Sequence, residues 1–353
     1  MNRRRAGLVA AAVATVAGGV AAGVAVERRV VGRARSAPDP YADEHFGSLH
    51  SAPVTVVADD GVRLHVEIDG DESAPLTVVF VHGFTLSLDC WHFQRRDLPD
   101  VGRLVFYDQR SHGASGRSPR KHSTIDQLGK DLHAVLDAVA PRGPVVLVGH
   151  SMGGMTILAL ADQHPELFGE RIVGVALVGT AAGAFAETIF GIPGVVGRAI
   201  RPVAPGVIRA ANRRAAMLER GRKAGSDVAF MLTRQLSYGD NAPPSLVAFM
   251  ERMLAGTPVE VMTEFFDTFL SHDKLDALGV LAGLPTVIVC GDRDRLTPPH
   301  NSQEMADALP DAELVMVRGA GHMVMLEQPN TVNEVLRGLI GRVASGRSRP
   351  RSA

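Results

Sequence analysis

Val145-Val146-Leu147-Val148-Gly149-His150-Ser151-Met152-Gly153 is the stretch on which the reading of this chain turns. A short, continuous apolar run closed by glycine is the pattern of a strand buried on both faces of a parallel sheet. Met155 to Gln163 then follows helical spacing. Glycines on either side of a serine at a strand-to-helix turn remove the side chains that would collide where the two elements cross. The turn lifts Ser151 above the sheet edge. A serine hydroxyl is a poor nucleophile unless it is exposed, desolvated and within reach of a base. The stretch therefore predicts a reactive serine at 151, with the Met152 amide aimed at the negative charge that its attack develops.

The same strand signature recurs on both sides. Leu76 to Val81, Leu104 to Tyr107, Val173 to Val178, Thr286 to Val289 and Leu314 to Val317 are short apolar runs, and Ile125 to Val139 has helical spacing. Val54 to Val57 and Val62 to Val66 flank Asp59-Asp60-Gly61, which reads as a hairpin. Strands alternating with helices predict an α/β protein with a mostly parallel sheet flanked by helices. The core then spans residues 53–180 and 285–342. The alternation stops at Thr180 and resumes at Pro285, an interruption too long for a loop. Residues 181–284 are expected to form a helical lid, residues 36–52 a polar linker, and residues 343–353 a disordered tail.

The remaining chemistry falls on loops after strands. His82-Gly83-Phe84 follows the run ending at Val81, and a glycine turn there can aim the Phe84 N–H at an oxyanion. Gly291-Asp292-Arg293-Asp294 and Gly321-His322 follow the last two runs, at the same sheet edge as Ser151. His322 can take the serine proton near neutral pH, and a carboxylate can fix its tautomer and steady the imidazolium. By spacing alone Asp292 and Asp294 compete for that role. His150 reads as a packing residue beside the serine, and His272 as a hydrogen-bonding group where the lid rejoins the core.

At this point the chain resembles the α/β-hydrolase superfamily, in its esterase, haloperoxidase-like and C–C-bond-hydrolase branch. The likeness rests on His82-Gly83-Phe84, Asp108-Gln109-Arg110-Ser111-His112-Gly113-Ala114-Ser115, the Ser151 turn, Gly291 to Pro298 and Gly321-His322. It implies Asp294 as the acid, which makes Ser151, Asp294 and His322 the catalytic set and the Phe84 and Met152 amides the oxyanion hole. It also implies ester hydrolysis through an acyl-enzyme, with no cofactor and no metal. Thioesterase, C–C hydrolase and perhydrolase chemistry would use the same residues, and a binding or signalling protein on this fold is the non-enzymatic alternative. Ser111 departs from the glycine usual in the family. A serine rather than an aspartate at 151 argues against the dehalogenase and epoxide-hydrolase members.

Composition agrees with a small-molecule enzyme. The 37 basic and 38 acidic residues almost cancel, against a general nucleic-acid binder. Cys90 and Cys290 stand in no metal-binding spacing, and a bridge between them is left open. Asn2-Arg3-Arg4-Arg5 precedes an uncharged apolar run from Ala6 to Val26. Residues 1–35 read as a membrane anchor or an export signal, the protein being cytoplasmic if they are neither. Arg198 to Lys223 is strongly basic, opposed only by Glu219, and reads as a solvated lid face or a surface resting on anionic lipid. Phe249, Met250, Met253, Phe265, Phe266 and Phe269 recur at helical spacing. They predict core packing or the roof of an apolar acyl pocket.

Overall fold

The computed structural model describes residues 32, 36–183, 233–240 and 242–346. Eight strands form one sheet in the order β1-β2-β4-β3-β5-β6-β7-β8. They are β1 (Pro53–Val57), β2 (Arg63–Asp69), β3 (Thr77–Val81), β4 (Arg103–Tyr107), β5 (Val145–His150), β6 (Ile172–Val178), β7 (Thr286–Gly291) and β8 (Glu313–Val317). The β1–β2 and β2–β4 pairs are antiparallel and the rest are parallel. The predicted hairpin is β1 and β2, turning through Gly61 at φ 88°.

Side-chain alternation along the strands divides the core. Val78, Phe80, Phe106, Val146 and Val148 pack with Leu336 and Leu339 on one face of the sheet. Val79, Val81, Val105, Tyr107 and Leu147 pack with Leu132, Leu136 and Ile157 on the other. After the short helix α1 (His92–Asp97), α2 (Ile125–Val139) begins at Thr124, whose side chain accepts the Gln127 N–H as an N-cap. The third helix, α3 (Met152–Gln163), starts immediately after Ser151.

Between β6 and β7 the described elements are helices and turns. A turn at 233–237 precedes α4 (Pro244–Gly256), α5 (Val259–Glu264) and α6 (Phe266–Leu270). A 3-10 turn at Asp276–Leu281 then buries Ala277, Leu278 and Leu281 in the core beside Ile157. The chain closes with α7 (Pro299–Ala308), α8 (Val324–Glu327) and α9 (Pro329–Ala344). The basic run Arg198 to Lys223 and residues 347–353 lie outside the described residues.

The stretch 36–52 is docked, not loose. Asp39 accepts the N–H and the hydroxyl of Ser245, both at 2.8 Å, and Phe46 stacks on Phe249 with ring centroids 4.8 Å apart. Glu44 bonds His92 and Arg96. Cys90 and Cys290 are both buried and free, which settles the open question of a bridge. The expectation of a transmembrane helix is corrected: among the described residues no helix is long and apolar enough to cross a membrane. The run Ala6 to Val26 lies outside the described residues, and its alanines, glycines and valines make it weakly hydrophobic per residue.

One buried charge cluster braces the loop after β4. The Arg110 guanidinium, fully buried, gives two 2.6 Å hydrogen bonds to Asp131 and others of 2.8 and 3.2 Å to Asp60. Its bonds hold the Asp60 carboxyl well below the usual carboxylate range. Replacing Arg110 by methionine leaves the deeply buried Asp131 without its cation, while Asp60 keeps His122, and should cost about 3–5 kcal/mol. Urea unfolding should show that loss as a lower midpoint at unchanged slope. Arg110→Met/Asp131→Leu should recover part of it; recovery of none would mean that the pair is not coupled.

Candidate active site

The loops that follow β3, β5, β7 and β8 meet at the carboxyl edge of the sheet. Ser151 sits between β5 and α3 at φ 53°, ψ −119°. That φ is unusual for a residue with a side chain, and the ψ falls outside even the left-handed helical region, so the conformation costs on the order of 1–3 kcal/mol. Its surroundings enforce it. The Ser151 N–H donates to Val178 O at 2.9 Å, and the Thr180 hydroxyl donates to Ser151 O at 2.7 Å. A Cβ on Gly153 would lie 2.0 Å from the Val81 carbonyl oxygen, so only glycine lets α3 approach β3 this closely. Met152 opens α3, and the first N–H groups of a helix have no intrahelical acceptor.

His322 and Asp294 come together. The His322 Nδ1 lies 2.9 Å from Asp294 Oδ2, with both side chains buried. Asp294 is held in place by the Leu296 N–H at 2.8 Å, the Thr297 N–H at 2.9 Å and the Thr297 hydroxyl at 2.8 Å. With Nδ1 engaged by a carboxylate, Nε2 is the ring nitrogen left for a serine hydroxyl. Asp292 does not compete: it is exposed and accepts the Gly319 N–H at 2.7 Å. His150, fully buried, lies 2.9 Å through Nε2 from the main-chain oxygen of His322 and so links the serine turn to the histidine loop. His272 lies 3.1 Å from Ala181 O, where the insertion rejoins the core.

The turn at Phe84 is fixed from behind. His82 Nδ1–H donates to Gly83 O at 2.7 Å, while its Nε2 accepts the Gln109 N–H at 2.9 Å. Burial holds the His82 imidazole down to about 3, so it stays neutral and can accept at one nitrogen and donate at the other. In a trans peptide the carbonyl and the following N–H point in opposite directions. Clamping Gly83 O therefore sets the direction of the Phe84 N–H. The turn is also close to the serine: a Cβ on Gly83 would stand 3.1 Å from Ser151 Cβ. Gln109 in turn donates to His82 O at 2.6 Å and accepts from the Thr156 hydroxyl at 2.8 Å, which joins this turn to α3. Ser111, in place of glycine, takes φ 66° and accepts the Ser118 N–H through its hydroxyl at 2.9 Å, a bond that offsets part of the strain.

Ser151 and His322 open into a cavity of about 430 Å³. Met155, Met250, Met262 and Met323 line it together with Phe84, Phe266 and Phe269. Of the predicted aromatic and methionine stripe, Met250, Phe266 and Phe269 reach the cavity. Phe249 instead packs on Phe46, and Phe265 packs near Phe84 and His112. No lysine, arginine, aspartate or glutamate lines the cavity among the described residues, and no histidine, cysteine and carboxylate cluster suited to a metal occurs among them. Sequence reasoning assigned no role to Thr297, Gln109, Thr156 or Glu327. Thr297 was the most accessible of these, since a hydroxyl so soon after an aspartate commonly bonds it.

Comparison with known proteins agrees with this architecture. Residues 77–329 match the model of the family described as alpha/beta hydrolase fold. The chain is 27% identical over 293 residues to a non-heme haloperoxidase of Rhodococcus erythropolis, covering 81% of this chain and 98% of that one. It is 28% identical over 276 residues to the mouse sn-1-specific diacylglycerol lipase ABHD11, covering 74% and 80%. Among solved structures, a thermophilic esterase from Thermogutta terrifontis superposes with a TM-score of 0.65 at 24% identity, over 83% of this chain and 99% of that one; at that identity the likeness is one of fold. This chain belongs to the alpha/beta hydrolase fold family.

Proposed function

We propose that the protein is a serine hydrolase that cleaves a carboxylic ester of an uncharged, apolar acyl group. The observation that carries this reading is the 2.9 Å His322–Asp294 pair on the same cavity as a serine held at φ 53°. Ser151 attacks the ester carbonyl while His322 Nε2 takes its proton, and Asp294 keeps Nδ1 protonated and steadies the imidazolium. The Phe84 and Met152 N–H groups receive the oxyanion, already oriented and so with no reorganisation at the moment of reaction. The imidazolium returns its proton to the leaving alcohol. Water then repeats the cycle on the acyl-enzyme and frees the acid. The helices between β6 and β7 act as the lid and give the acyl chain an apolar seat. Kinship with a diacylglycerol lipase supports an ester substrate. A second reading, perhydrolysis with peroxide and a carboxylic acid, draws on the likeness to a non-heme haloperoxidase and uses the same residues.

A fluorophosphonate probe should label the full-length protein, and neither Ser151→Ala nor His322→Ala should label at a comparable rate. Asp294→Asn should lower kcat on the order of 10⁴-fold through the wrong imidazole tautomer. Asp292→Asn, whose amide oxygen can still accept the Gly319 N–H, should stay near the wild-type rate. Equal losses in the two variants would contradict the assignment of Asp294.

The cavity also predicts a preference among acyl groups. In a series of p-nitrophenyl esters, kcat/KM should rise from acetyl to a medium-length chain. It should fall steeply for a succinyl ester, because a carboxylate buried without a partner costs several kcal/mol. A flat profile, or a preference for the charged ester, would contradict the apolar reading.

A further inference from the structure

Glu327 ends α8, on the same loop region as His322, and both of its carboxylate oxygens are engaged by main chain. Oε1 accepts the Gly321 N–H at 2.8 Å, and Oε2 accepts the Gly239 N–H at 2.7 Å. Gly321 directly precedes His322. Gly239 belongs to the stem at 233–240, the part of the insertion whose Thr233, Leu236 and Ser237 line the cavity. One side chain thus holds an N–H from the base's loop and an N–H from the cavity wall.

The two backbones meet with nothing between them. A Cβ on Gly239 would lie 2.0 Å from Gly319 O, and one on Gly321 would lie 2.4 Å from the main-chain carbon of Tyr238. The Met323 N–H donates to Ser237 O at 2.9 Å, and Arg295 donates to Gln235 O at 2.8 Å. Two N–H donors cannot bond each other, so a seam that presents both needs a shared acceptor. The Glu327 carboxylate gives each N–H its own oxygen, whereas a glutamine would set its own donor against one of them.

We propose that Glu327 is a positioning residue, which ties the stem of the insertion to the loop that bears His322 so that the cavity wall and the base keep one geometry. This rests on the reading of His322 as the base. The groups facing the carboxyl are Asp294, His322 and Tyr238. Burial pushes it up to about 7 although the two N–H bonds hold it down; Asp294 pushes the same way and His322 the other.

Amide exchange and kinetics on the full chain test this together. In the wild type, the Gly239 and Gly321 amides should be protected against exchange, after correction for intrinsic rates. In Glu327→Gln, exchange at these sites should be about tenfold faster. With p-nitrophenyl butyrate its kcat should fall about tenfold, and KM by a smaller factor in either direction, as expected when a base loses alignment. Unchanged exchange in a folded variant, or faster exchange with kcat unaltered, would overturn the proposal. If that variant does not fold, Glu327→Asp, one methylene too short to reach both N–H groups, decides by the same two readouts. A wild type that neither hydrolyses esters nor reacts with a fluorophosphonate would sink the hydrolase reading alone, since exchange still reports on the tie.

Discussion

The main chain at Ser151 stands at φ 53° and ψ −119°, a conformation that persists only where the surroundings over-determine it. Those surroundings are the neighbouring strands. Val178, at the end of β6, accepts the Ser151 N–H, and Val81, at the end of β3, leaves no room for a side chain at Gly153. The turn can therefore exist only where β5 lies between β3 and β6, which is the order the sheet has. Once it is set, α3 must begin at Met152 and the serine must stand clear of the sheet edge. The strain at one residue is thus supported by burial across the whole sheet, where each apolar side chain adds about 1.5–3 kcal/mol.

The other parts of the site are braced in the same manner, by hydrogen bonds between groups held out of water. Asp294 accepts from Leu296, Thr297 and His322, and His82 is neutral because burial keeps it so. Such networks lose value quickly when a member is missing, because each orphaned group keeps its desolvation cost. His150 ties the serine turn to the His322 loop, Gln109 ties the Phe84 turn to α3, and Glu327 ties the His322 loop to the insertion. The cavity they surround is lined mainly by apolar side chains. A low-dielectric seat of this kind strengthens the interaction between fixed N–H dipoles and any charge that develops there.

The sheet was legible because its central parallel strands, buried on both sides, are written as unbroken apolar runs. Val145 to Val148 and Thr286 to Val289 leave little else to read. Ser151, Asp294 and His322 could be proposed because strand-end loops at one edge carry them in order. Spacing could not separate Asp292 from Asp294, since their side chains leave one turn in different directions and only one meets the histidine. Helical spacing in the insertion did not tell Phe249 from Met250, neighbours about 100° apart around one helix, one against Phe46 and one in the cavity. The docking of residues 36–52 was hidden because Tyr41 and Phe46 are isolated among polar neighbours, without a period to betray a buried face. Glu327 gave no signal at all: its partners are main-chain groups of glycines, and sequence does not show where a backbone N–H points.

In the proposed mechanism Ser151 carries the acyl group between the two halves of the reaction. Acid quenching during turnover of p-nitrophenyl butyrate, followed by mass mapping of the digested protein, tests it most directly. A butyryl adduct on the peptide bearing Ser151, absent from Ser151→Ala, is the result predicted. Continued hydrolysis with no adduct under conditions where deacylation is slow, or an adduct on another residue, would contradict it.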